Sequence, residues 1–268
     1  MSRWLQKSYL FLIFTFLYAP IAVLIVFSFN DSKSTSNWSG FSLRWYAELF
    51  QDDKILSALY YTLAIALISS LISTVMGTFA AFGLSQMRGR FKGFMLGVNN
   101  LPILNPDIVT GIALMSLFVF TGTRLGFMTM LMAHITFSTP YVILSVLPKF
   151  KQLSSEMLDA ALDLGATPWY AFRKVILPEI MPGIITGFLM AFTLSIDDFV
   201  ISFFTTGGGV SNLSIEIYSM ARRGIKPEIN ALSTLMFVTV LLLLFVINRR
   251  SEKGAGVVLP KADPLERM

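Results

Sequence analysis

Cysteine is absent from this chain and histidine occurs once, as His134. The first absence excludes disulfides, iron–sulfur clusters and cysteine-based zinc sites; the second leaves no HExxH or other multi-histidine metal site. Charge is also scarce. Only 14% of residues are Asp, Glu, Lys or Arg, against about 25% in ordinary soluble domains. A phosphate-cradling GxxxxGK[ST] loop is missing, because Gly207-Gly208-Gly209 runs on into Val210-Ser211 without a lysine. If ATP is used, it must bind another chain. No nucleophile–base or metal constellation supports an intramembrane enzyme.

What the chain has instead is apolar sequence in long runs: 54% of its 268 residues are hydrophobic and the mean hydropathy is +0.68. A helix needs about 20 mostly apolar residues to cross the hydrocarbon core. Six stretches qualify, at Ser8–Phe29, Ser57–Leu84, Phe94–Phe120, Gly126–Leu147, Met181–Phe204 and Asn230–Ile247. The fold class expected is therefore all-α, an integral membrane protein of six transmembrane helices occupying residues 1–250. The first run is too long for a signal-peptide core and lacks an A-x-A cleavage site, so it reads as a retained span. The third is interrupted by Pro102, Pro106 and Asp107.

The net charge of +5 does not call for nucleic acid, since the basic residues sit beside the spans and not in one patch. Assigned to alternate sides, fourteen of the 21 Lys and Arg fall with the two termini and seven on the opposite side. The positive-inside rule then places both termini in the cytoplasm of a plasma or inner membrane. The first outer loop carries Trp38, Trp45 and Tyr46, rings expected at the headgroup level of the bilayer. The tail, residues 251–268, is polar and expected to be flexible. In the second span Ser69, Ser73, Gly77 and Ala81 form a small-residue stripe of the kind that lets helices approach closely in lipid.

The inner segment 153–178 has structure of its own. Met157, Ala160, Ala161 and Leu164 recur at helical spacing and form one apolar face. Gly165 is a natural stop, Thr167 a cap and Pro168 a first helical residue. Trp169, Phe172 and Ile176 form the apolar stripe of a second short helix, with Arg173 and Lys174 toward water and Pro178 closing it. A surface-lying amphipathic loop is the plainer alternative.

The spacing of Asp159-Ala160-Ala161, Gly165 and Val175-Ile176-Leu177-Pro178 resembles the cytoplasmic signature of ABC-importer permeases: EAA, three residues, Gly, nine residues, then I-x-L-P. Asp replaces Glu and Val replaces Ile. The resemblance runs from the first span to Arg250 and is closest to the polyamine branch, the second permease of spermidine/putrescine importers. It rests there on Leu101–Val109, Ala133–Phe137, Ser195-Ile196-Asp197-Asp198-Phe199 and Ile217–Met220. It implies that Asp159, Ala160, Ala161, Gly165, Leu177 and Pro178 belong to a coupling helix that docks on an ATPase. It also implies two ATP-binding subunits carrying ATP and Mg, a distinct second permease, an external polyamine-binding protein and a bacterial membrane. This chain itself would bind no cofactor.

Three acids fall inside the spans, where charge is costly and functional by default: Asp107, Asp197 and Asp198. On a continuous fifth helix Asp198 shares a small, polar stripe with Gly187, Ala191, Ser195, Ser202 and Thr205, whereas Asp197 lines up with Met190, Thr193, Ile201 and Phe204. Asp198 is therefore expected on the substrate pathway, with Asp197 tied to a neighbouring helix or subunit. Capping and ion pairing remain the structural alternatives for both. Asp107, beside Pro106, could face substrate or satisfy freed backbone N–H groups. His134 is expected to hydrogen-bond across helices, with proton relay as the alternative. Two other transport readings stay open: the same architecture for ferric ion, thiamine or a sugar, and an ion-coupled secondary transporter. Internal repeats are not evident, which weighs against the latter.

Overall fold

The structure, a computed structural model, describes residues 3–32, 37–153, 155–223 and 227–254. Among these the regular elements are helices, and the single strand-like pairing is an isolated bridge between Asn30 and Phe41. In chain order they are α1 (Arg3–Phe27), α2 (Arg44–Leu49), α3 (Asp53–Gln86), α4 (Gly89–Leu104), α5 (Asp107–Phe120) and α6 (Phe127–Gln152). There follow α7 (Ser155–Asp163), α8 (Pro168–Ala171), a π-helical turn (Phe172–Ile176), α9 (Leu177–Asp197), α10 (Val200–Thr205), α11 (Leu213–Arg223) and α12 (Pro227–Gly254). Four helical stretches are long and apolar enough to cross a membrane: Trp4–Phe27, Asp53–Gln86, Phe127–Gln152 and Pro168–Asp197. The pair α4–α5 makes a fifth if its bend is counted within one span. The apolar part of α12 among the described residues, Glu228–Leu242, is shorter.

The bend is written in the sequence. Asn105 and Pro106 are both extended (ψ 143° and 139°), as the residue before a proline prefers to be and as the proline's missing N–H permits. The two helices diverge by 104° there, so the third apolar run is sharply broken.

α3, α6 and α9 form the centre, and small residues decide how closely they meet. A Cβ added to Gly77 of α3 would stand 2.7 Å from Val142 Cβ, and one on Gly187 of α9 would stand 3.1 Å from Val142 Cγ1. Val142 of α6 is thus wedged between two glycines, one on each neighbour. Lipid tails are as apolar as leucine, so dispersion at such close contacts and interhelical hydrogen bonds hold the bundle together. The stripe Ser69, Ser73, Gly77 and Ala81 is buried as its spacing predicts, and Ser73 Oγ donates to the Ile135 carbonyl of α6 at 3.1 Å. A separate apolar cluster of Leu49, Ile55, Ala58, Leu213 and Leu232 joins α2, α3, α11 and α12. α1 lies against α12, and none of its apolar window is buried within the chain.

Several expectations are corrected. Trp45 is not a headgroup ring: it is 2% exposed, and its Nε1–H donates to the Asn30 carbonyl at 2.6 Å. Tyr46 likewise turns inward, its hydroxyl 2.7 Å from Ser28 Oγ. Of the three rings only Trp38 stays exposed. Pro178 does not close a helix, because helical structure runs without interruption from Pro168 to Asp197. The π-helical turn just before it shifts the hydrogen-bond register, so Pro178 is accommodated inside a continuous helix. The fifth apolar run is not one helix, since it breaks at Asp198 and Phe199. In the tail, residues 251–254 continue α12, and 255–268 lie outside the described residues.

Candidate functional site

The break between α9 and α10 organises the buried polar groups of the bundle. Asp198 has left helical geometry (φ −63°, ψ 121°). Its Oδ1 accepts the Ile201 N–H at 3.2 Å and its Oδ2 accepts the Ser202 N–H at 2.7 Å. The carboxylate therefore caps α10 with both oxygens. Its side chain is 6% exposed, and Oδ2 lies 3.6 Å from His134 Nε2. His134 makes the interhelical bonds its sequence position suggests, with Nδ1 2.6 Å from Ser195 Oγ and Nε2 2.9 Å from Ser202 Oγ. Ser69 of α3 reaches Ser195 at 3.3 Å. From the loop before α11, Asn212 Nδ2 donates to Ser202 Oγ at 2.8 Å and to the Asp198 carbonyl at 3.1 Å. α11 is anchored in turn by the Leu213 N–H, which donates to Thr62 Oγ1 of α3 at 2.9 Å.

The stripe Gly187, Ala191, Ser195, Ser202 and Thr205 is buried. It faces α6 and the rest of this chain, for the reason that governs α3: small residues in a lipid-embedded helix serve close packing. Asp198 goes inward with it. Asp197 and Met190, on the opposite side, are exposed. Asp197 thus lies on the surface of the chain and Asp198 holds a helix end, the capping alternative named for it. Asp107 is exposed at the N-terminus of α5, where negative charge is favourable. Among the described residues no Lys or Arg forms an ion pair with Asp107 or Asp197.

Aromatic rings adjoin the break. Phe199 lies 4.4 Å from Tyr218 of α11 and 5.4 Å from Phe203, centroid to centroid. A pocket of about 420 Å³ opens where the start of α3 meets the glycine-rich loop and α11, lined by Asp53, Lys54, Tyr61, Ser211 and Glu216 among others.

At the far end of α9 the inner segment has the local form its residues dictate. Gly165 has φ +85°, a left-handed conformation that glycine adopts without strain. Thr167 Oγ1 accepts the Tyr170 N–H at 3.3 Å, and Pro168 opens α8. Asp159, Ala160, Gly165 and Pro178 are exposed, Ala161 and Leu177 half-buried. Leu164 is 90% and Trp169 64% exposed, so the chain offers an apolar surface here that it does not cover itself. Phe172 connects that surface to the bundle, 5.9 Å from Trp169 and 5.7 Å from Phe82 of α3.

Residues 73–255 match the family described as binding-protein-dependent transport system inner membrane component. The chain belongs to this family. It is 40% identical over 258 residues to the spermidine/putrescine transport system permease protein PotC of Shigella flexneri, covering 95% of this chain and 98% of that one. To the putrescine transport system permease protein PotI of Escherichia coli (strain K12) it is 42% identical over 254 residues, covering 90% and 89%. A bacterial ABC transporter involved in the import of the acidic polysaccharide alginate shares the fold, with a TM-score of 0.72 at 16% identity over 93% of this chain and 96% of that chain. The MetNI methionine ABC transporter does so at 0.63 and 19%, over 76% and 99%. The family match spans both exposed acids, the inner segment and the buried network apart from Thr62 and Ser69 of α3.

The contribution of Ser202 and Asn212 could not be read from periodicity, because their partners lie on other helices. A signal was present nonetheless. A single histidine in an apolar span needs two hydrogen-bond partners, and the fifth run carries serines at Ser195 and Ser202.

Proposed function

We propose that this permease moves polyamines inward across a bacterial cytoplasmic membrane as one transmembrane subunit of an ATP-driven importer. The observation that carries the reading is the outward display of Asp107 and Asp197, each at a helix break in an apolar stretch and neither ion-paired among the described residues. A carboxylate at membrane depth is costly unless it faces a partner or a water-filled path. A solute bearing several ammonium groups needs such oxygens to replace lost hydration. Relatives named for spermidine and putrescine transport support the same solute class. Asp107 and Asp197 act as path acids in this reading, and Asp198 stands behind them as the cap of α10.

The architecture proposed has six spans, α1, α3, α4–α5, α6, α9–α10 and α12, with both termini cytoplasmic. The cytoplasmic segment bearing Asp159, Ala160, Ala161, Gly165, Leu177 and Pro178 docks on an ATPase, which holds ATP and Mg. Exposed Leu164 and Trp169 support a partner there. Two ATPase subunits, a second permease and an external polyamine-binding protein complete the assembly.

The test is uptake of labelled spermidine and putrescine by the reconstituted complex. Asp197→Asn and Asp107→Asn each keep side-chain size while removing charge, and each is expected to cut uptake at least tenfold at unchanged complex yield. Normal uptake in both variants sinks the reading.

A further inference from the structure

α9 stops at Asp197 although neither glycine nor proline occurs between Phe188 and Thr206. Sharp breaks in long helices otherwise trace to side chains or water inserted into the hydrogen-bond ladder, and here side chains account for the break. Asp198 caps the new helix, and Asn212 satisfies the carbonyl that the break sets free. One further group touches both flanks. His134, on α6, meets Ser195 of α9 through Nδ1 and Ser202 of α10 through Nε2. The imidazole is rigid and its nitrogens diverge, so it fixes the separation of the two serines across the break.

Those serines did not need a histidine for satisfaction. Other hydroxyls in the spans bond back to their own helix: Ser70 to the Leu67 carbonyl, Thr74 to that of Ser70, and Ser145 to that of Tyr141. Ser195 and Ser202 are engaged from a different helix instead, by a ring that is 1% exposed. We propose that His134 is a positioning residue for solute passage: by tying Ser195 to Ser202 it sets the α9–α10 angle, holds Asp198 inward on its cap and turns Asp197 outward. The proposal rests on the reading of Asp197 as a path acid.

The absence of cysteine makes Asp197→Cys a unique thiol in this subunit. Its modification by a water-soluble ethylammonium methanethiosulfonate, followed in the full complex by the mass of this subunit, reads the placement of position 197 directly. Adding His134→Ala is expected to change the modification rate at least fivefold, and His134→Gln, which retains a donor and an acceptor, to restore most of it. Ser195→Ala and Ser202→Ala each remove one leg of the bridge and are expected to act in the same direction. They keep the test usable if His134→Ala does not assemble. Unchanged rates in all of these variants overturn the bridge.

With Asp197 native, His134→Ala is expected to raise the KM for polyamine uptake at least fivefold, with a smaller change in maximal rate, and His134→Gln to reverse it. A loss of maximal rate at constant KM in both variants is what a folding defect produces, and overturns the positioning role. If Asp197→Asn transports normally, the path reading falls and the solute role of His134 with it; the labelling result still decides the bridge.

Discussion

Asp197 and Asp198 are chemically identical neighbours that the backbone sends to opposite environments. The outward carboxylate lies on the surface of the chain, whereas the inward one has two backbone N–H groups as ligands and an imidazole 3.6 Å away. Replacing Asp198 by Ala removes both acceptors and leaves the first turn of α10 uncapped. That is expected to cost about 1–2 kcal/mol and to lower the unfolding temperature of the purified complex. Asp198→Asn keeps one acceptor oxygen and should cost less. If Asp198 is a cap, uptake in the two variants follows this order of stability; if its charge binds the solute, Asn fails as completely as Ala. Measuring melting and uptake on the same preparations separates the outcomes. Spacing put Asp198 on the small, polar stripe, and it does lie with that buried stripe; the assumption of a continuous helix did not anticipate the break that leaves Asp197 on the surface of the chain. The assumption failed because the capping interaction itself terminates α9.

At the scale of elements, the inner segment was the most legible part of the chain. Its stop, cap and first-turn proline are local devices, and Gly165, Thr167 and Pro168 perform those roles in the structure. Pro178 was misread because a π-helical turn, which no residue pattern announced, carries the helix past it. A bulky residue at Gly165 must adopt φ near +85°, a conformation that costs side-chain-bearing residues about 1–2 kcal/mol. Gly165→Leu, and Asp159→Lys by charge reversal, are expected to leave the subunit in the membrane but to uncouple it, giving ATP hydrolysis without uptake or weak retention of the ATPase on purification. Full uptake in both variants would remove the segment from a coupling role. The Trp169–Phe172–Phe82 ring contacts provide a packed route from that segment to α3.

For the molecule as a whole, the apolar runs and the distribution of Lys and Arg predict even crossing and like-sided ends. A reporter fused after Arg250 is expected to be cytoplasmic and one inserted near Ser36 external; activity on the same side for both breaks the six-span arrangement. The large apolar surface left by α1 and by one face of α3 is what a lipid-embedded subunit presents to acyl chains and neighbouring subunits.

Helix class, the approximate limits of the apolar runs, the break at Pro106, the small-residue stripe of α3 and the caps of the inner segment were determined by the sequence alone. Each depends on a residue and its neighbours within a turn or two, or on hydropathy summed along the chain. Tertiary structure alone decided that Trp45 is buried, that α9 ends at Asp197, that Asp198 turns inward and that His134 joins Ser195 to Ser202. A buried polar group in an apolar environment is stabilised by a partner, and those of His134, Ser195 and Ser202 come from other elements. Which face of the fifth run points inward therefore depends on where α3 and α6 place Ser69 and His134, and hydropathy periodicity carries no record of that.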